Sequence, residues 1–119
     1  MARVSDRELP EKTEDLVTHG FKETIKSLGK EEDAQGFLYN FLTPQEQTML
    51  AKRFAVGVLA SQGMHYRKIC NLLKVTPNTV QTVKREMQRS GRFRKLLEII
   101  GKKSEYQKLL HSEPQNKQN

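Results

Sequence analysis

The sequence predicts an all-α fold, and three observations carry that expectation. Apolar residues recur at spacings of three and four in one segment after another, the period of a helix with one buried side. Helix punctuation brackets those segments, with Thr-Pro pairs opening two of them and glycines closing several. Between Tyr66 and Arg85, YRKICNLLKVTPNTVQTVKR reads as two short helices across a tight turn, which is the pattern of a helix-turn-helix.

Residues 1–11 are charged, lack periodicity and include Pro10, so they are expected to form a flexible arm. From about Lys12 to Leu28, Leu16, Val17, Phe21, Ile25 and Leu28 trace one apolar stripe. Glu14 and Asp15 suit the positive end of that helix, and Gly29 can close it. Lys30 to Asp33 reads as a polar break. A short helix then runs to about Leu42, and its Phe37, Leu38, Phe41 and Leu42 are more than one face needs, which fits a core helix or a dimer seam. Thr43-Pro44-Gln45-Glu46 is a capping box with proline in the first turn, opening a helix to about Ser61. Met49, Leu50, Phe54, Val56, Val58 and Leu59 occupy much of its circumference, so it is expected to be central. Arg53 is the exception, either solvated or lining a small-ligand cleft.

In the first helix of the helix-turn-helix, Ile69, Leu72 and Leu73 mark the buried side, and Cys70 fits a close helix approach as a small hydrophobe. Lys74 stands where the turn calls for a positive φ, at a cost of about 1 kcal/mol for a residue other than glycine. The second helix starts on Thr76 and Pro77 and buries Val80, Val83 and Met87. At ~100° per residue its outward line holds Asn78, Thr82, Arg85 and Arg89, flanked by Gln81. These types read base edges: Asn and Gln on adenine, Arg on guanine, Thr on a thymine methyl or an acceptor. Charge separates this face from an ordinary solvated one. From Met64 to Lys95 nine basic residues stand against one acid, a net +8 where the whole chain carries +7. Lys68, Lys74, Lys84, Arg89, Arg92 and Lys95 are therefore expected to hold phosphates.

Beyond Ser90-Gly91, the residues Phe93, Leu96, Leu97, Ile99 and Ile100 form a last apolar helix ending at Gly101. The helical domain thus spans 12–101. Residues 102–119 are expected to be a polar, mostly disordered tail, with Tyr106, Leu109 and Leu110 as the residues able to extend a helix.

Composition bounds the function. Only 35% of the 119 residues are hydrophobic and Trp is absent, so one copy can build only a modest core. A second copy is the simplest source of further burial, with Phe37, Phe41, Phe54 and Leu97 expected in a shared dimer core. The pI of 9.7 fits an anionic partner. No apolar run approaches ~20 residues and no apolar leader is present, so a soluble, cytoplasmic chain with no membrane partner is expected. The single Cys excludes an intramolecular disulfide and multi-Cys zinc patterns. With no nucleophile motif and no phosphate-cradling Gly loop, neither an enzyme nor a metal site is expected.

The run FLTPQEQTMLAKRFAVGVLASQGMHYRKICNLLKVTPNTVQTVKREMQ resembles the tryptophan-repressor family, particularly its TrpR-related branch. L-T-P-x-E opening a long helix, an Arg within that helix, a short Gly loop and the helix-turn-helix carry the likeness. The resemblance implies a TrpR-like multi-helix bundle, intertwined as a homodimer on a palindromic operator. It implies base contacts by Arg67, Pro77, Asn78 and Gln81. It also implies a ligand cleft: Arg53 matches the first of two arginines that hold an indole, Thr43 a hydroxyl at the helix start, and Thr79 a pocket residue. The second arginine matches Thr82. No cofactor is therefore expected, tryptophan should not be a strong corepressor, and any effector is open.

The leading expectation is a dimeric transcriptional regulator, acting as a repressor on double-stranded DNA. The alternative is a helix-turn-helix adaptor of the replication-initiator or sigma type, without ligand-controlled repression.

Overall fold

The computed structural model describes residues 8–112, which form seven helices and, among them, no strand. These are α1 (Glu11–Lys26), α2 (Glu31–Phe41), α3 (Pro44–Ser61), α4 (Tyr66–Leu73), α5 (Pro77–Arg89), α6 (Gly91–Ile100) and α7 (Ser104–Leu110). The all-α expectation holds. Residues 1–7 of the expected arm and 113–119 of the expected tail lie outside the described residues. The chain forms two compact units that divide between Gln47 and Thr48, inside α3.

In the first unit, rings join α1 to α2. Phe37 and Phe41 stack with centroids 5.0 Å apart, and Phe21 lies 6.4 and 5.9 Å from them. The polar break expected at Lys30 to Asp33 is corrected: Glu31, Glu32 and Asp33 are the first turn of α2, where carboxylates meet the positive end of the helix dipole. Thr43 and Glu46 make the expected capping box. The Thr43 N–H donates to Glu46 Oε1 at 2.8 Å, and the Glu46 N–H donates to Thr43 Oγ1 at 3.1 Å. No residue of α1 or α2 is buried, and Leu16, Val17, Phe21, Ile25, Leu38 and Phe41 are exposed.

The second unit holds the core. Val56, Val58 and Leu59 of α3 pack with Ile69 of α4, Val80, Val83 and Met87 of α5, and Leu97 of α6. Ala55 to Leu59 are buried without interruption, so this half of α3 is enclosed on every side. Leu50 and Phe54 remain exposed, and the central-helix expectation therefore applies to the second half alone. Gly57 makes the enclosure possible. A Cβ there would stand 2.9 Å from Leu97 Cδ1 and 3.2 Å from Val83 Cγ1, so glycine lets α5 and α6 close on α3. Leu97, expected in a shared dimer core, is fully buried in this seat within the chain's own core.

Within the tail, the three residues expected to be able to extend a helix do so. α7 packs Tyr106, Leu109 and Leu110 against the core, and Tyr106 meets Phe54 edge-on with centroids 6.3 Å apart. Gln107 Nε2 donates to the Gly101 carbonyl at 2.7 Å. Three apolar side chains at helical spacing outweigh the polar composition around them. Among the described residues, no helix is long and apolar enough to cross a membrane.

Candidate nucleic-acid interface

The turn between α4 and α5 is built on Lys74, which takes φ 57° and ψ 51°. It is the one non-glycine residue with positive φ among those described, at the position where the sequence requires it. The Lys74 and Val75 N–H groups both donate to the Cys70 carbonyl, which closes α4. Cys70 itself is half-buried. Thr76 then caps α5, its hydroxyl accepting from the Thr79 N–H at 3.3 Å. The Thr76 and Thr79 hydroxyls also meet at 3.2 Å, so Thr79 is part of the cap. Ser90 ends α5 and starts α6, its Oγ accepting from the Phe93 N–H at 3.2 Å. α5 is thereby fixed at both ends and packs on α4 and α6.

Burying Val80, Val83 and Met87 turns the expected side chains outward. Pro77, Asn78, Gln81 and Arg85 of α5 are exposed, as is Arg67 at the start of α4. Thr82 is half-buried, and its hydroxyl donates to the Asn78 carbonyl at 2.9 Å. Its proton is thus committed to its own helix, leaving a methyl and an acceptor. Of the expected phosphate ligands, Lys74, Lys84, Arg89, Arg92 and Lys95 are exposed and Lys68 is half-buried. Arg89 carries the one acid of the segment, with Nη1 3.1 Å from Glu86 Oε2.

The start of α4 holds two residues that sequence reasoning missed. His65 caps the helix, Nδ1 accepting from the Arg67 N–H at 3.1 Å. The Tyr66 phenol oxygen accepts from Arg67 Nε at 3.3 Å, and the guanidinium carbon lies 5.9 Å from the Tyr66 ring centre. That hydrogen bond holds the Arg67 proton still more firmly than an ordinary guanidinium. The His65 ring lies 4.8 Å from that of Tyr66. An aromatic pair directly before Arg67, the residue expected to read a base, was the available signal. Tyr66 also walls a cleft of about 340 Å³ whose other lining is Pro77, Val80, Gln81 and Lys84 of α5.

Two of the residues expected around a small ligand make local contacts of their own. Thr43 spends its hydroxyl on the α3 capping box and Thr79 on the α5 cap. Arg53 is exposed and pairs with no described residue. Among the described residues, no three His, Cys, Asp or Glu side chains gather as a metal ion would need.

Two short helices joined through a left-handed residue, with a basic outer face, define a helix-turn-helix protein. The family model of the Trp repressor protein matches residues 18–100, more than two thirds of the chain. The chain belongs to that family of helix-turn-helix transcriptional regulators, which are not enzymes. No curated protein and no solved structure matches it. α7 lies beyond the matched residues.

Proposed function

We propose that this chain is a cytoplasmic repressor that binds a palindromic DNA operator as a homodimer. The observation that carries the reading is the outer side of α5. Asn78, Gln81 and Arg85 stand exposed there in a segment with nine basic residues and one acid. Hydrogen-bonding side chains for base edges and positive charge for phosphates occur together, as specific DNA recognition requires. The dimer is supported by the first unit, where two helices bury nothing and expose a row of large apolar side chains. Such helices gain stability chiefly from packing against another surface, and a second copy offers the same faces.

Repression proceeds without tryptophan as a strong corepressor. Arg53 supplies one guanidinium, but Thr82 replaces the second and turns its hydroxyl back onto its own helix. The test is selection of bound sites from random duplex DNA, with affinity then measured across a salt series. A palindromic site whose affinity falls steeply with salt is expected. Binding with no sequence preference would overturn the regulator reading.

A further inference from the structure

We infer that the cleft beside Tyr66 is a subsite for the C5-methyl group of a thymine. The inference rests on the DNA-reading function proposed above. Projected along α5, Pro77, Gln81 and Lys84 form a stripe about a quarter turn from the Asn78, Thr82 and Arg85 line. That stripe lies on the flank of α5 beside the start of α4, and Tyr66 closes the cleft from the other side. The apolar surface comes chiefly from the Pro77 and Tyr66 rings, with the buried Val80 as the floor between them. The polar groups of the lining side chains are the Gln81 amide, the Lys84 ammonium and the Tyr66 hydroxyl, which accepts from Arg67 Nε.

This chemistry selects its occupant. Base edges in the DNA major groove present hydrogen-bond donors, acceptors and one apolar group, the thymine methyl. An apolar hollow on a basic reading surface has no other base-edge group to bury. Lys84 supplies charge complementary to the phosphates flanking that base. Gln81 supplies the paired acceptor and donor that match adenine N6 and N7. The subsite therefore recognises an A·T pair or an A·T step, with the methyl in the cleft and the amide on adenine.

The wall is organised before DNA arrives. Tyr66 is held by the Arg67 Nε–H at its oxygen and flanked by the His65 ring. Less side-chain freedom is then lost on binding. Using Nε for Tyr66 also leaves the terminal guanidinium nitrogens of Arg67 for end-on contact with guanine O6 and N7. A thymine next to a guanine is the expected reading of α4 and α5 together.

The experiment starts from a duplex selected out of random DNA. Each thymine is replaced in turn by uracil, which removes only the methyl. One thymine per half-site should lose about fourfold in affinity, the equivalent of one buried methyl. In Tyr66→Ala that discrimination should disappear, while preference for the selected site over random DNA persists through Asn78 and Arg85. If every thymine tolerates uracil, or Tyr66→Ala discriminates as the parent does, the subsite is wrong and the DNA-reading function stands. A chain that selects no sequence at all would overturn both.

Discussion

Asn78, Gln81 and Arg85 differ from Arg92 and Lys95 in what their side chains can distinguish. The first three carry paired or forked hydrogen-bonding groups from a helix capped at both ends. Each truncation to Ala should relax preference at one base pair and cost roughly 1–3 kcal/mol where the contact is bidentate. Arg92→Ala and Lys95→Ala should weaken selected and random duplexes alike and flatten the salt dependence. Equal losses on all sequences from the first group would refute the division. Gly57 sets a different constraint. Gly57→Ala gains up to about 1 kcal/mol of helix propensity, but its methyl would press on Leu97 and Val83 in an enclosed core. Overpacking of that kind costs roughly 1–3 kcal/mol. The variant should unfold at lower denaturant concentration, and an unchanged midpoint would show that α6 can shift to make room.

At the scale of elements, α5 and its caps were legible because local chemistry decides them. Thr76, Pro77 and the Val80–Val83–Met87 line fix start, phase and buried side within one segment. Lys74 was legible for the same reason, since the turn geometry demands a left-handed residue whatever stands there. Exchanging it for the residue with no Cβ penalty should relieve that strain: Lys74→Gly is expected to stabilise the fold by about 1 kcal/mol. Thermal or urea unfolding would measure it, and a loss of stability would mean that the lysine side chain contributes more than its backbone costs. What sequence reasoning missed depends on neighbours. Nothing in the segment around Tyr106 announces Phe54, and nothing around Leu97 announces the gap above Gly57. His65 was missed because imidazole is an uncommon N-cap, outside the Ser, Thr, Asp and Asn signals.

On the scale of the whole molecule, every buried hydrophobic side chain among the described residues lies between Ala55 and Leu97. The proposed homodimer makes stability a function of concentration. The melting temperature should rise with protein concentration, and light scattering at micromolar concentration should give twice the chain mass. A monomer mass with a concentration-independent transition would reject the pair. Two α5 helices related by a dyad should demand half-sites about 10 bp apart, ~34 Å along the duplex. Binding indifferent to that spacing would count against the arrangement. Calorimetric titration with tryptophan, paired with operator binding across a tryptophan series, checks the absence of corepression. Micromolar binding together with an about tenfold gain in DNA affinity, ~1.4 kcal/mol of coupling, would contradict it.

The uneven distribution of burial also sets a clock. Backbone amides inside an enclosed core exchange with solvent deuterium only when the whole subunit opens, and this applies to the second half of α3 and to the inner side of α5. α1 and α2 have no interior of their own. In the proposed homodimer their amides should stay protected only while the second copy covers them. Exchange there should follow the separation of the two copies, and it should slow as the protein is concentrated while exchange in the core holds constant. Deuterium uptake by α1 and α2 would then read out the lifetime of the pair directly, without DNA and without a label.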